Sequence, residues 1–278
     1  MDPHSLPVYE QRSRILEALD GSQVIVVESP TGSGKTTQLP LILHEAGYSA
    51  RGVIGVTQPR RIAAVSVSEY IGKQIDAPVG GFVGYKMRFD DHTSPETHLK
   101  IMTDGILLQE IKNDYLLSNY SVIMVDEAHE RSLNIDFTLG LLKRVLEVRA
   151  DFKVIVSSAT INAEVFSEYF DQAPIVRIDT PMYPVQLIYD AATTPESKMN
   201  LPEKLAEARS GAEKQSAYEV VIAKITRIVE RIIKEKRPGD MLIFLTGERM
   251  IKDCINALYS MPFRKKLHIL PLYGRLSK

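Results

Sequence analysis

Residues 23–36 read Gln-Val-Ile-Val-Val-Glu-Ser-Pro-Thr-Gly-Ser-Gly-Lys-Thr, an apolar run followed by a glycine-rich turn. The run at 23–28 predicts a buried strand, because its side chains are nearly all apolar instead of alternating. Helical spacing over 35–46 follows directly, so the turn at 31–36 joins a strand to the start of a helix. This arrangement is typical of a phosphate-binding loop.

The residues of this turn suit a nucleoside triphosphate with Mg²⁺. Glycines let backbone N–H groups surround phosphate oxygens, and the helix N-terminus adds positive dipole character. Lys35 would neutralise the β- and γ-phosphates, and the Thr36 hydroxyl would ligate Mg²⁺. The full pattern has glycine where this sequence has Ser29, so the string alone leaves an ordinary Gly/Ser turn open.

Two adjacent carboxylates follow a second apolar run, residues 122–125. We expect Asp126, at the end of that strand, to hold Mg²⁺, and Glu127 to polarise the attacking water as general base. A solvated acidic loop is the alternative, and the buried strand before it argues against that interpretation. The carboxylates and the phosphate loop together predict hydrolysis of a nucleoside triphosphate.

Strands and helices alternate through the first part of the chain, which predicts a doubly wound α/β domain with a parallel sheet. Ligands of such domains bind at the carboxyl ends of the strands. The further strands are predicted at 53–57 and 154–156, and the further helices at 61–74, 104–112 and 137–148.

The character of the chain changes near residue 180, so we expect three regions: a domain at 1–180, a connection at 181–240, and the incomplete start of a second α/β domain at 241–278. The connection combines a proline-containing exit, a polar insertion at 191–217 and a long helix at 218–236. The second domain is expected to begin with a buried strand at 241–245, a helix at 248–260 and a short strand at 267–270.

Composition excludes several classes of protein. The single cysteine, Cys254, excludes a disulfide framework and a cysteine-rich metal site, and it suits a reducing compartment. No signal pattern opens the chain, and no apolar run approaches the roughly 20 residues needed to span a bilayer, so we expect a cytoplasmic protein. We also expect a monomer. The net charge of −1 shows no basic footprint for nucleic acid, although residues 179–278 are basic and residues 1–178 acidic.

Residues 126–129 spell Asp-Glu-Ala-His, and further strings resemble motifs of the bacterial-type DEAH-box ATP-dependent RNA helicases. The similarity extends in order from about residue 8 to the end of the chain. It implies a RecA-like P-loop domain followed by part of a second RecA-like domain. The strings similar to motifs Ia, Ib, III and IV are residues 57–64, 103–105, 158–160 and 245–247.

The resemblance implies a role for each matching residue of the nucleotide site. Asp126 and Glu127 would handle metal and water, and His129 would link the nucleotide site to the nucleic-acid site, unless it is simply a satisfied buried histidine. Ser158 and Thr160 would couple hydrolysis to domain movement. ATP would be bound by Thr31, Gly32, Ser33, Gly34, Lys35, Thr36 and Thr37.

The resemblance also implies a face that contacts the backbone of single-stranded or structured RNA, with little base specificity and with DNA not excluded. A solvated helix start is the alternative for Arg60 and Arg61, and a β-hairpin with a packed phenylalanine is the alternative for Arg88 and Phe89. The residues implied in RNA contact are Arg60, Arg61, Arg88, Phe89, Thr103 and Thr246.

The sequence departs from the family in two places. Tyr70 stands where family members commonly place an arginine that stacks on the adenine; its ring could stack as well, or pack within its helix. Nothing resembles motifs V and VI, whose arginine fingers can supply about 10³–10⁵ in rate. We therefore expect a chain truncated before these motifs, which binds nucleotide, hydrolyses it weakly and does not unwind duplexes.

Two other functions stay open on the sequence. One is a P-loop nucleoside triphosphatase that translocates on DNA or acts as a switch, and the other is a non-catalytic module that binds RNA or a partner.

Overall fold

An eight-stranded sheet organises the first part of the chain. The computed structural model describes residues 5–159, 163–180, 185–189 and 211–273, with backbone only at 211–218. The strands are β1 (Val24–Glu28), β2 (Val53–Thr57), β3 (Val83–Met87), β4 (Asp90–His92), β5 (Leu99–Met102), β6 (Tyr120–Val125), β7 (Lys153–Ser158) and β8 (Ile175–Arg177).

The strands lie in the order β4-β3-β5-β2-β6-β7-β1-β8. Every pairing is parallel except that of the edge strand β4 with β3. This mixed, mostly parallel sheet confirms the predicted α/β class. The single antiparallel pair arises because the chain turns back after Met87 in a tight hairpin, which needs no crossover helix.

Helices cover this sheet on both faces. They are α1 (Pro7–Glu10), α2 (Arg12–Gly21), α3 (Lys35–Glu45), α4 (Tyr48–Arg51), α5 (Arg61–Gln74), α6 (Asp104–Asn113), α7 (Leu133–Val148) and α8 (Ala163–Tyr169).

Alternate residues of each central strand enter opposite apolar layers. In β1, Ile25 and Val27 pack into the layer that contains α2, α3 and α5, whereas Val24 and Val26 pack into the layer that contains α6 and α7. Because both faces of the sheet are covered, every position of the strand must be apolar. This is why the strand reads as a continuous apolar run in the sequence.

The predicted elements of this unit are confirmed, with differences at their ends. Strand β2 and helix α5 have the predicted bounds, but α7 begins four residues before the predicted residue 137. Its start is set by Ser132, whose hydroxyl accepts a hydrogen bond from the Ile135 backbone N–H at 3.2 Å. A serine N-cap satisfies one of the donors that a helix start leaves unpaired.

Contacts between Cα atoms separate Met1–Pro184 from a second unit, Val185–Lys278. In the second unit, helix α9 (Gly211–Lys234) packs against α10 (Glu248–Tyr259) around a small apolar cluster. The buried residues of that cluster are Val229, Cys254 and Leu258. The three-region division and the second RecA-like domain stay predictions. Much of the predicted polar insertion lies outside the described residues.

The buried strand predicted at 241–245 and the short strand predicted at 267–270 are wrong, because neither described segment forms a strand. Both segments lack a strand partner among the residues described for the second unit, and Leu242 and Phe244 are 73% and 86% exposed. A strand is stable only when a neighbour pairs its N–H and C=O groups and covers its apolar face. None of the described helices is long and apolar enough to cross a membrane.

Candidate functional site

The candidate site lies where four neighbouring strands of the sheet end. Thr57 of β2 pairs with Val125 of β6, and Glu28 of β1 pairs with Ser158 of β7. Strand β6 also pairs with β7 in parallel, so these four carboxyl ends lie at about the same level. The loops that follow them therefore meet at one edge of the sheet.

The phosphate loop follows β1 and wraps around the start of α3. Gly32 and Gly34 have φ of +87° and +94°, a left-handed conformation that glycine adopts without steric cost. A Cβ at Gly34 would approach Leu6 Cδ1 to 3.0 Å. Gly34 also caps the helix without any side chain, which leaves backbone N–H groups of the first turn available to an anion.

Lys35 is buried beneath this loop. Its ammonium donates to the carbonyl oxygens of Ser29 and, at 3.4 Å, of Pro30. Burial lowers the pKa of Lys35, and the charges of Asp126 and Glu127 oppose that shift. The ammonium is thus held by loop carbonyls close to two carboxylates.

The hydroxyls of the loop differ in their partners. Ser33 Oγ is buried and has no hydrogen-bond partner within the described part of the chain, whereas Thr37 Oγ1 donates back to the Gly34 carbonyl at 3.3 Å. A buried polar atom without a partner is costly and suits a ligand that supplies one. Thr31 and Gly32 are exposed at the tip of the loop.

Asp126 is fully buried and receives hydrogen bonds from three described side chains. The Thr36 hydroxyl and the Gln58 amide donate to Oδ2 at 2.6 and 3.1 Å, and the Ser157 hydroxyl donates to Oδ1 at 2.8 Å. Burial raises the pKa of Asp126 even though the Thr36 hydrogen bond acts to lower it. The carboxylate therefore links the phosphate loop to the ends of β2 and β7.

These oxygens fit a Mg²⁺ ion together with a triphosphate. Mg²⁺ prefers hard oxygen ligands and is usually held by one or two protein oxygens plus phosphates and water. Thr36 and Asp126 place a hydroxyl and a buried carboxylate within hydrogen-bonding distance of each other. A cation there would offset the cost of the buried negative charge.

Glu127 and His129 form a pair in the loop after β6. Glu127 has φ of +52°, a conformation that is costly for a residue with a side chain, and it begins the 3₁₀ turn Ala128–Glu130. His129 Nε2 lies 3.2 Å from Glu127 Oε2.

The other ring nitrogen of His129 determines which atom holds the proton. The Ala159 backbone N–H donates to His129 Nδ1 at 3.2 Å. Because that nitrogen must accept, the neutral ring has its proton on Nε2, which points at Glu127. His129 thus connects the Glu127 carboxylate to the segment after β7.

Two residues of the site were missed in the sequence. Gln58 lies inside the string at 57–64, and Ser157 precedes the predicted Ser158, yet both contact Asp126. The Ser158 hydroxyl instead donates to the Ala159 carbonyl at 2.9 Å. Alternation along β7 was the available signal, because adjacent residues of a strand face opposite sides. Thr160 lies outside the described residues.

Tyr70 lies on α5, exposed to solvent, four residues before Gln74. The Gln38 amide of α3 donates to Gln74 Oε1 at 3.1 Å. Residues four apart share a helix face. Position 70 is therefore on the face of α5 that approaches α3, the helix that begins at the phosphate loop.

The residues expected to contact RNA follow the ends of three adjacent strands. Arg60 and Arg61 are exposed after β2, Thr103 follows β5, and Arg88 follows β3. Phe89 at the hairpin tip is 92% exposed, so the hairpin forms as the alternative expected but its phenylalanine is not packed. The Arg88 guanidinium lies 4.9 Å from the centre of that ring.

Thr246 belongs to the second unit, so it is not a residue of this sheet. Its hydroxyl contacts Met250 Sδ at 3.5 Å, one helical turn further along the chain.

Asp104, the first residue of α6, is a buried carboxyl that is not among the predicted site residues. Burial raises its pKa, and the charges of Glu130 and Asp126 add to that shift. As pH rises, the Asp104 carboxyl therefore loses its proton at a lower pH in the unfolded chain than in the folded protein. The free energy of unfolding should fall as pH rises from about 3.8 through the pKa of the folded state.

We expect Asp104→Asn to remove this pH dependence, because asparagine does not titrate. The variant should gain stability relative to the wild type over that pH interval and keep the gain above it. Urea unfolding from pH 3 to 8 measures the difference. Asp151→Asn is a control with the opposite sign: the hydrogen bond from Arg149 lowers the pKa of Asp151, so this variant should lose stability relative to the wild type as pH rises. A stability difference between Asp104→Asn and the wild type that does not change with pH would contradict the prediction.

Comparisons with known proteins agree with this geometry. Residues 9–168 match the family model described as DEAD/DEAH box helicase. The chain is 52% identical over 278 residues to the ATP-dependent RNA helicase HrpA of Borreliella burgdorferi. It is 45% identical over 275 residues to HrpA of Escherichia coli and 45% identical over 276 residues to the HrpA homolog of Haemophilus influenzae.

These similarities cover nearly all of this chain but only part of each relative. They span 100%, 99% and 99% of the chain, against 31%, 20% and 19% of the three relatives.

Proposed function

The chain belongs to the DEAD/DEAH box helicase family, and on that premise we propose that it is the ATP-binding part of a DEAH-type RNA helicase, coupling ATP hydrolysis to movement on or unwinding of RNA. The observation that carries the proposal is the buried Asp126 carboxylate, which joins the phosphate loop, the string at 57–64 and the end of β7. A site built this way senses the nucleotide and touches the elements that face RNA.

In the proposed function, residues 31–37 bind the phosphates of ATP, and Thr36 with Asp126 holds Mg²⁺. Such an ion offsets the charge of the phosphate oxygens during transfer. Lys35, now held by loop carbonyls, turns its ammonium toward the β- and γ-phosphates when they arrive. Tyr70 stacks on the adenine from α5.

Glu127 acts as the general base in this proposal. Its carboxylate orients a water for in-line attack on the γ-phosphorus and takes the proton that the water loses, while the bond from the γ-phosphorus to the β–γ bridging oxygen breaks and ADP leaves. The His129 Nε2–H holds one carboxylate oxygen, which leaves the other free for the water. Because His129 also accepts from the Ala159 N–H, a movement after β7 changes the orientation of the base.

The exposed arginines, Phe89 and Thr103 along the edge of β2, β5 and β3 would contact the RNA backbone, and Thr246 would contact it from the second unit. Contacts of this kind bind phosphates and give little base specificity. Ser158 and Thr160 would transmit hydrolysis to domain movement. We further propose a cytoplasmic, monomeric protein whose first RecA-like domain ends near residue 180.

The proposal predicts that single-stranded RNA stimulates ATP hydrolysis more than DNA of the same sequence does. RNA offers 2′-hydroxyls by which a protein can distinguish it from DNA. Phosphate release by the 278-residue chain is measured with Mg²⁺ and ATP, alone and with saturating oligouridylate or oligodeoxyuridylate.

The outcomes separate the candidate functions. Equal stimulation by both strands would favour a translocase on DNA. ATP binding with neither hydrolysis nor stimulation would favour a non-catalytic module that binds RNA or a partner.

A further inference from the structure

An ion pair joins the start of α5 to the turn that contains the proposed catalytic residues. Arg60 Nη2 lies 2.8 Å from Glu130 Oε1, with the two side chains 75% and 30% exposed. Arg60 is expected to contact RNA, and Glu130 ends the 3₁₀ turn Ala128–Glu130. One acidic side chain therefore holds a residue of the RNA face and belongs to the loop of the nucleotide site.

Glu130 is coupled to the proposed base through the backbone. Its N–H donates to the Glu127 carbonyl at 2.9 Å. Glu127 and Arg131, which flank the turn, both have positive φ, a backbone conformation that is costly for residues with a side chain. A displacement of Glu130 would therefore act on the Glu127 carbonyl through this hydrogen bond.

Glu130 lies near other carboxyl groups, so its ion pair with Arg60 offsets repulsion between negative charges. The charge of Glu130 acts on the buried carboxyl of Asp104, which also lies near Asp126. Over the ranges that the structure describes, Arg60 is the basic residue that forms an ion pair with Glu130. If another anion took Arg60, Glu130 would face these carboxyl groups without its cation, and repulsion would favour its displacement.

We propose that Glu130 is a positioning residue that competes with an RNA phosphate for Arg60, so that RNA binding releases the Ala128–Glu130 turn and changes the setting of Glu127. This inference rests on the proposed function, because it takes ATP and RNA as the two ligands. It adds the physical link between them: one guanidinium with two alternative anions. Both anions are oxygen acceptors that suit a guanidinium.

Equilibrium binding of a fluorescein-labelled single-stranded decauridylate, at fixed low salt, tests the competition. Glu130→Gln should bind this RNA about two- to five-fold more tightly than the wild type, the range expected when an exposed ion pair no longer competes. Arg60→Ala should bind it more weakly.

A double-mutant cycle separates competition from the general effect of removing a negative charge. In the Arg60→Ala background, Glu130→Gln should bring no gain in RNA affinity, because there is no guanidinium left to release. Asp171→Asn is the matched control, since it removes an exposed acid that pairs with Lys143 at 3.2 Å. It should leave RNA affinity unchanged, and thermal unfolding checks that all variants fold.

The coupling between RNA binding and nucleotide binding is measured as a change in nucleotide affinity. The affinity for a non-hydrolysable ATP analogue is measured with and without saturating decauridylate, and the ratio should differ from one in the wild type and move toward one in Glu130→Gln. An equal gain from Glu130→Gln in both backgrounds, or an unchanged ratio, would overturn the inference. A wild-type chain that binds neither ATP analogue nor RNA would instead refute the proposed function.

Discussion

Glu127→Gln is expected to lower the rate of ATP hydrolysis by about 10²–10⁴-fold, the usual contribution of a positioned general base. Glutamine has nearly the same shape as glutamate, and its Oε1 can still accept from the His129 Nε2–H, so the loop should keep its conformation. It cannot take a proton from water. Nucleotide binding should therefore persist while the chemical step is lost.

Single-turnover hydrolysis of labelled ATP, with RNA at saturation, measures this effect separately from product release. Glu147→Gln, an exposed position on α7, is the matched control and should hydrolyse ATP at the wild-type rate. A rate for Glu127→Gln within about three-fold of the wild type would assign the base to another residue, because loss of a general base costs far more.

Lys35→Ala is expected to weaken ATP binding by about 10- to 100-fold. Hydrogen bonds that involve a charged group contribute about 1.5–3 kcal/mol, and about 1.4 kcal/mol corresponds to a tenfold change in affinity. Lys35 is the buried cation of the phosphate loop, and burial lowers its pKa even before a ligand arrives. A phosphate would give the ammonium a charged partner in direct contact, in place of the uncharged loop carbonyls.

Calorimetric titration with ATP and Mg²⁺ checks this loss of affinity. Lys73→Ala removes an exposed lysine of α5 and should leave ATP affinity as it is. Circular dichroism distinguishes lost binding from lost folding. If Lys35→Ala binds ATP as the wild type does, the phosphates do not reach the loop at 31–37.

Much of the candidate site was predictable because its residues are local in the chain. The β1–loop–α3 segment is one continuous string, and Gly32 and Gly34 occupy the left-handed positions that the turn requires. Asp126 follows a strand that is buried along its full length. In each case the signal lies within about ten residues, so a linear pattern contains it.

The partners of Asp126 come from distant parts of the chain and were not predictable in the same way. Gln58 lies 68 residues away and Ser157 lies 31 residues away. Which of Ser157 and Ser158 faces the carboxylate depends on the pleat of β7, and strand register is set by neighbouring strands. The pair of Arg60 and Glu130, 70 residues apart, likewise exists only because β2 and β6 are neighbours.

At residues 241–245, by contrast, a local pattern predicts an element that the structure does not form. Its apolar, β-branched and aromatic composition predicts a strand, yet its residues are largely exposed and unpaired within the described second unit. A strand preference mostly reflects packing against neighbours. The sequence pattern indicates that the segment has a strand propensity, but it does not show whether a neighbouring strand is there to pair with it.

The linear pattern alone thus determined the α/β class, the phosphate loop and the two carboxylates, because covered parallel strands must be apolar throughout and phosphates need glycine beside a helix start. Tertiary structure alone decided the order of the strands, the three side-chain donors around Asp126, the tautomer of His129 and the pairing of Arg60 with Glu130. These depend on which strands are adjacent, and adjacency follows from burying both faces of one sheet rather than from any short run of residues.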